Sequence, residues 1–132
     1  MSTENFVRLI IISDLLEPEQ IDDITGMKCD KSWRKNDFRA KSIIREKNFG
    51  WMLESNLERT DDIELHIENI FQRLEGHIEK VKSLSERNIV KLSLAIYSED
   101  IPALYFNKET IFRLSTLGAA LDIDLYLIGE ER

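Results

Sequence analysis

The sequence predicts one α+β domain over residues 1–132, a two-layer sandwich in which a mixed, mainly antiparallel sheet carries three helices on one face. Three observations support this class. Aliphatic segments of strand length open and close the chain, and a stripe of apolar residues recurs at helical spacing through its middle. The length of 132 residues is that of a single domain, and an apolar share of 42% is enough for one core.

The first part of the chain predicts a strand, a helix and a hairpin. Residues 6–13 are aliphatic and β-branched between polar flanks, as in a buried strand. Pro18 suits the first position of a short helix, and Gly26 suits its C-terminal cap. After an irregular basic segment, residues 40–55 predict a hairpin with its turn near residues 47–48.

The middle of the chain predicts one long helix, from residue 62 to about residue 84. Apolar residues at helical spacing form a single stripe along it, and the opposite face is charged. Asp61 and Glu64 have the spacing of a capping pair, in which side chains accept hydrogen bonds from backbone amides at the helix N-terminus. This helix is expected to lie along one face of the sheet.

The last part predicts two strands, a third helix and a closing strand. Residues 88–97 and 121–128 alternate in the manner of strands, and residues 103–106 predict a short strand between them. Asn107 is a suitable N-cap for the third helix. The order of the first six elements allows a ferredoxin-like core. One core is expected to contain Ile67, Phe71, Leu74, Leu94, Leu117 and Leu125.

Charge is unevenly distributed along the chain. The net charge is −7, whereas residues 28–47 hold eight basic and three acidic residues and carry about +5. Because phosphate binding depends on basic contacts, the net charge argues against nucleic acid as the main partner. No apolar run approaches the roughly 20 residues of a membrane span. Residues 1–5 lack the pattern of a secretory signal, and with Cys29 as the single cysteine this favours a cytoplasmic setting.

The basic segment contains the first candidate site. Trp33, with the cations of Arg34 and Arg39, has the composition of an anion-binding or stacking surface. The alternative is a solvated loop that its tryptophan anchors to the core. In the following strand, Trp51 and Glu54 are weaker binding candidates, because Trp51 is also typical of a core and Glu54 of a cross-strand ion pair.

The second candidate site consists of Asp122 and Asp124. Their carboxylates lie on one side of the closing strand, roughly 7 Å apart, which is close enough for one hard cation. Without a third ligand at diagnostic spacing, the alternative is the solvated face of an edge strand. His66 and His77 are about three turns apart on the predicted helix and cannot share a metal, so surface or stripe-flanking positions are expected. The sequence has no phosphate loop, nucleophile elbow or zinc motif and predicts no cofactor.

Three stretches carry a resemblance to a known family. They are a tryptophan in a basic turn, SWRKND at 32–37, then GWMLES at 50–55, and finally LGAALDIDLY at 117–126. Over nearly its whole length the chain resembles a widespread bacterial family known as a domain of unknown function. That family's pattern has glycine where this chain has Asn36, and asparagine tolerates the positive φ that such a turn needs. The resemblance implies a stand-alone bacterial α+β domain and no particular activity.

One leading hypothesis and two alternatives follow. The leading hypothesis is a non-enzymatic protein-binding domain whose acidic surface takes a basic partner, as immunity proteins do with secreted toxins. The first alternative is a sensor of a small ligand or anion that uses the basic segment around Trp33. The second is a metal-assisted hydrolase built on Asp122 and Asp124. Homodimerisation through an exposed strand edge is compatible with all three.

Overall fold

The computed structural model describes residues 3–129, which form five strands and four helices. In chain order these are β1 (Glu4–Ser13), α1 (Pro18–Thr25), β2 (Lys31–Trp33), β3 (Phe49–Glu54), α2 (Ile63–Arg73), α3 (Ile78–Ser85), β4 (Ile89–Ser98), α4 (Lys108–Leu117) and β5 (Ala120–Leu127). The chain is an α+β domain, as predicted.

The strands form one sheet in the order β2-β3-β1-β4-β5. The β2–β3, β3–β1 and β1–β4 pairs are antiparallel, and the β4–β5 pair is parallel. The first four strands therefore have the order and directions of a ferredoxin-like core, which the α4–β5 unit extends by one parallel strand. This arrangement confirms the predicted mixed, mainly antiparallel sheet.

The helices pack on one face of this sheet. Val7, Leu9 and Ile11 alternate along β1 and are buried in one core with residues from all four helices. Phe6 and Arg8 occupy the intervening positions and belong to the opposite face, which we call the open face. Because β1 lies in the middle of the sheet, its open-face side chains are flanked by strands on both sides.

The predicted core is confirmed except at one position. Five of its expected members are buried in the core cluster, namely Ile67, Phe71, Leu74, Leu94 and Leu117. The prediction is wrong for Leu125, which is 42% exposed. β5 is the outermost strand, and α4 packs toward α3 and the inner part of the sheet, so the helix-side residues of β5 are only partly covered.

The predicted long helix is two helices, α2 and α3, so the described part of the chain has four helices rather than three. Gly76 lies between them with a φ of 83°, a left-handed conformation that ends a right-handed helix and that glycine adopts without steric cost. The apolar stripe continues across the break because Val81 of α3 returns to the same core. The predicted capping pair of Asp61 and Glu64 is also wrong. Asp62 is the N-cap residue, and the Asp61 carboxylate accepts a hydrogen bond from the amide of Glu58, which precedes the helix.

The predicted hairpin is wrong in its first arm. β3 pairs with Lys31–Trp33, and residues 34–48 form a long loop. Within this loop Asn36 and Lys41 have positive φ values of 72° and 53°, which interrupt an extended backbone. Residues 103–106 form no strand either, because β5 already pairs with the side of β4 that is not bound by β1.

Other predicted boundaries are confirmed. α1 begins at Pro18 and is capped by Gly26, whose φ is 75°. Asn107 caps α4, and its side chain accepts a hydrogen bond from the amide of Thr110 at 2.8 Å. Among residues 3–129, no helix has the length and apolarity that crossing a membrane requires.

Candidate functional site

A cavity of about 620 Å³ lies at the end of the sheet where β1 begins and β3 ends. Residues 55–59 follow β3 and border the cavity. The amide of Ser55 donates to the carbonyl of Val7, and the amide of Asn5 donates to the carbonyl of Arg59, so this segment runs beside β1. Charged, polar and aromatic side chains line the cavity, among them Arg8, Lys31, Glu54, Arg59, His66 and Tyr97.

Three cationic side chains line the cavity, and two of them have no carboxylate partner among the described residues. The third, Lys31, pairs with Glu54 at 3.4 Å. The guanidinium carbon of Arg59 lies over the ring of Phe6, 4.9 Å from its centre. The Nε–H of Arg8 is buried and has no hydrogen-bond acceptor within residues 3–129. The two guanidinium groups are therefore donors that an anion in the cavity could satisfy.

The second carboxylate of the cavity, Asp30, is compensated by a cation on α2. Nη1 of Arg73 donates to Oδ2 of Asp30 at 2.5 Å, and the backbone amide of Glu54 donates to the same oxygen at 2.8 Å. Partial burial is the largest single influence and raises the pKa of Asp30, but the hydrogen bonds and the charge of Arg73 together outweigh it and hold that pKa below its ordinary value. Asp30 is thus ionised and already paired, and the charges of Arg8 and Arg59 stay uncompensated.

A buried histidine lies on the α2 side of the cavity. His66 is 1% exposed, its Nδ1 lies 2.5 Å from the hydroxyl oxygen of Ser55, and its Nε2 is buried without a partner among the described residues. Of the two expected positions, surface or stripe-flanking, His66 has the second, beside the apolar stripe of α2. The imidazole and the Ser55 hydroxyl share one hydrogen bond at the cavity wall, and the imidazole tautomer decides which of them donates. No carboxylate orients the imidazole within the described residues, so the pair lacks the third group of a hydrolytic triad.

Aromatic rings extend from the cavity across the open face. Phe6 contacts Tyr97 edge to face, with ring centres 5.6 Å apart and an interplanar angle of 78°. Tyr97 stacks on Tyr126 of β5, with ring centres 4.6 Å apart and an interplanar angle of 14°. A planar group in the cavity would therefore meet an aromatic surface that neighbouring strands hold in place.

The cations of the predicted basic site are already paired. Arg34 forms ion pairs with Glu17 and Glu19 at the beginning of α1. Arg39 pairs with Glu46 within the loop, with Nε to Oε1 at 3.0 Å. These contacts fasten the 34–48 loop and leave its arginines less available to an anion than those of the cavity.

The remaining predicted binding residues lie in three different environments. The indole of Trp33 lies against Gly50 on the open face and covers the backbone there. Trp51 is fully buried and its Nε1–H donates to Oδ1 of Asp22 at 2.7 Å, which is the core position given as its alternative. Glu54 lines the cavity and forms a cross-strand ion pair with Lys31 of β2, whereas a pair with Arg39 or Arg45 was expected.

The two aspartates of β5 lie on the open face, as the alternation predicts. Asp122 accepts a hydrogen bond from Nζ of Lys91 at 3.0 Å, so its carboxylate is already paired with a cation of β4. Asp124 is the next open-face residue along the strand. Among residues 3–129, no group of three or more histidine, cysteine or acidic side chains is arranged to hold a metal ion.

Sequence reasoning missed Arg8, although a signal was present. Residues 6–12 read FVRLIII, a strand that is aliphatic except for one arginine. A charge within an interior strand faces either the core or the sheet's other surface, and both positions remove it partly from water. The interruption of an apolar strand by one cation was therefore a better indicator of a site than the solvated cations of residues 28–47.

The family model described as a domain of unknown function, DUF4279, matches residues 3–128. The chain belongs to the DUF4279 family. No curated protein and no solved structure matches it. The resemblance inferred from the basic turn and the two strand motifs is therefore confirmed. Because the match runs from the first residue before β1 to the end of β5, the whole sheet and the cavity lie within the DUF4279 domain.

Proposed function

We propose that this DUF4279 domain binds a small organic anion in the cavity beside β1 and β3, and that it acts by binding rather than by catalysis. Arg8 is the observation on which the proposal depends. Its Nε–H is buried at the cavity without an acceptor among the described residues. A buried donor without a partner costs free energy in the unliganded protein. The terminal Nη groups of the same guanidinium have no carboxylate partner among the described residues, and a carboxylate or phosphate oxygen in the cavity would pair with them.

The size and charge of the cavity support the same ligand class. Its volume of about 620 Å³ falls within the range of small-molecule sites. The protein has a net charge of −7, so the two uncompensated guanidinium groups of Arg8 and Arg59 form a local region of opposite sign. Such a region attracts a small anion, whereas the surrounding negative charge repels an extended polyanion such as nucleic acid.

The neutral groups of the cavity suggest the kind of anion. Phe6 and Tyr97 offer aromatic surface beside the cations, and the Ser55 hydroxyl and the His66 imidazole add polar surface. We therefore expect a ligand with a planar ring and one carboxylate or phosphate group to bind better than an inorganic ion. We further propose a bacterial cytoplasmic setting, based on the family pattern and on Cys29 being the single cysteine, which leaves no partner for an internal disulfide.

Calorimetric titration with three probes tests the proposal: inorganic phosphate, benzoate and adenosine monophosphate. Arg8→Met keeps a long side chain but removes the charge, and we expect it to weaken binding of the best probe by about 10- to 100-fold, the value of one charge-assisted hydrogen bond. Arg39→Met is the matched control, because Arg39 belongs to the predicted basic site and is paired with Glu46. If no probe binds, or if Arg39→Met weakens binding as much as Arg8→Met does, the cavity is not the anion site.

Protein binding is a second candidate function, favoured by a groove of about 290 Å³ between α2, α3 and α4. Phe112 borders this groove and is 71% exposed, although it is a large aromatic side chain. Glu68 and Glu75 also border it. Glu68 is paired with Arg113 at 2.9 Å, so Glu75 supplies the negative charge beside the apolar surface. This combination suits a basic partner, as expected of an immunity-like protein.

Affinity capture tests this second function with a matched pair of variants. A basic partner that binds the wild type and Arg8→Met but not Phe112→Ser would support protein binding at the groove. A partner that both variants retain would place the contact elsewhere, and loss with Arg8→Met alone would assign the partner to the cavity. The comparison therefore separates the two candidate functions.

A further inference from the structure

The outer edge of β5 is the least protected part of the sheet. No strand among residues 3–129 pairs with it. The side chains on its helix side are apolar but are 36% to 57% exposed, namely Leu121, Ile123, Leu125 and Leu127. An unpaired edge with exposed aliphatic side chains favours pairing with another strand. The two charges of this edge, Asp122 and Asp124, lie on the open face, so they limit which registers can form.

Backbone geometry defines which groups of this edge are available. The amide of Ile128 donates to the carbonyl of Ser98 on β4. Since the amide and carbonyl of one strand residue point to the same side and successive residues alternate, the even-numbered residues of β5 bond to β4. The amides and carbonyls of Ile123, Leu125 and Leu127 therefore point outward and can form the ladder of an antiparallel pair.

The open-face side chains distinguish the possible registers between two copies of β5. A two-fold axis at Ile123 places Asp122 opposite Asp124 of the second copy, and an axis at Asp124 places two copies of Asp124 opposite each other. Both registers oppose like charges, which destabilises a strand pair. Axes at Leu125 and at Tyr126 avoid this. An axis at Tyr126 leaves Ile123 opposite Gly129, whereas an axis at Leu125 places Ile123 opposite Leu127 and Asp124 opposite Tyr126 of the second copy.

We propose that two copies of the chain associate through β5, antiparallel about a two-fold axis at Leu125, and form a continuous ten-stranded sheet. Ile123 then lies opposite Leu127 of the second copy, which covers the exposed aliphatic side chains on the helix side. The outward backbone groups of Ile123, Leu125 and Leu127 form the ladder. The strand is thus complementary to itself in apolar surface and in backbone polarity, and this register opposes no like charges, which favours a second copy over an unrelated strand.

The proposed interface adjoins the candidate site. Tyr126, opposite the second copy's Asp124, stacks on Tyr97, and Tyr97 lines the cavity. Association would therefore hold one aromatic wall of the cavity in place. The dimer does not depend on the ligand proposal, because it rests on the edge of β5 alone.

Sedimentation velocity over about 1 μM to 1 mM tests the dimer, since a single strand pair is a small interface and the equilibrium should depend on concentration. The wild type is expected to shift from monomer to dimer in this range. Leu125→Lys places two like charges at the axis and should stay monomeric, with a circular dichroism spectrum like that of the wild type to show that it folds. A wild type that is monomeric throughout the range overturns the proposal, and so does a dimer that Leu125→Lys leaves intact.

Cysteine cross-linking tests the register. In a Cys29→Ser background, Leu125→Cys puts two thiols on opposite residues of a hydrogen-bonded pair, with Cα atoms about 5.5 Å apart and within disulfide range. Mild oxidation should link this variant efficiently. Ile123→Cys and Leu121→Cys are controls, because the same register separates their copies by roughly 14 Å and 27 Å. Preferential linkage of either control, or no linkage at Leu125→Cys, contradicts the axis at Leu125.

Discussion

Arg8→Met is expected to make the unliganded protein more stable, although it removes a charged side chain from the middle of the sheet. The wild-type Nε–H is buried without an acceptor among the described residues, and such a donor costs about 1–3 kcal/mol. Methionine keeps most of the aliphatic stem and has no donor. The opposing loss is small, because Glu54, the cross-strand neighbour of Arg8, already pairs with Lys31. A net gain of about 1–2 kcal/mol is expected.

Urea unfolding followed by circular dichroism measures this gain directly. For a domain of this length it corresponds to a rise of about 4 to 8 °C in Tm. Arg39→Met is again the control, since it removes an exposed ion pair and should change stability by less than about 1 kcal/mol, in the destabilising direction. If Arg8→Met destabilises the unliganded protein by more than about 1 kcal/mol, the guanidinium group is already satisfied and the argument for an anion site fails.

Three further predictions concern the sheet and its surroundings. Gly50→Ala places a methyl group against the indole of Trp33 and should cost about 1–3 kcal/mol, with a red shift in tryptophan emission as the ring is displaced; an unchanged spectrum would mean that the indole does not cover the glycine. Asp30→Asn removes the partner of Arg73. Folding lowers the pKa of Asp30 below its ordinary value of 3.8, so its ion pair stabilises the wild type above pH 3.8 and this contribution is lost as the pH falls further. Measured as Tm against pH, the variant should therefore lose less stability in acid than the wild type. Leu94→Ala empties a fully buried position and should cost about 3 kcal/mol in urea unfolding; a loss below about 1 kcal/mol would contradict the register of β4.

Much of the fold could be predicted because its signals are local. Pro18 and Gly26 define α1 through backbone preferences that act within one or two residues. The strands β1, β4 and β5 follow from alternation or from continuous aliphatic runs. The break at Gly76 was missed because the apolar stripe keeps its period across it, so periodicity alone gave one helix where the backbone forms two.

The first arm of the hairpin shows where local signals fail. Residues 40–47 have the composition of a strand, but β3 instead pairs with residues 31–33. Which segment pairs with β3 depends on where the connecting loop is fixed. Here ion pairs of Arg34 and Arg39 fix the loop 34–48, and residues 31–33 pair with β3. Such contacts join residues that are distant along the chain, and no periodicity in the sequence specifies them.

The candidate site was misplaced for a related reason. Counting cations directed attention to residues 28–47, where Arg34 and Arg39, the two arginines chosen as binding candidates, are paired with carboxylates in the folded protein. What distinguishes a binding cation is the absence of a partner, and this depends on the tertiary structure. Arg8 and Glu54 are opposite each other on adjacent strands, and only the structure shows that the glutamate binds Lys31 and not the arginine.

Two buried polar atoms at the cavity differ in their structural role. The Nε of Arg8 comes from the open face of β1, and the Nε2 of His66 comes from α2 on the other side of the sheet. Both are buried without partners among the described residues, and both side chains line the same cavity. His66 has a structural reason to be retained in its hydrogen bond with Ser55, whereas no described residue gives one for the charge of Arg8. The uncompensated guanidinium of Arg8 at the cavity is therefore the reason why the anion site is sought there and not among the more numerous cations of the loop.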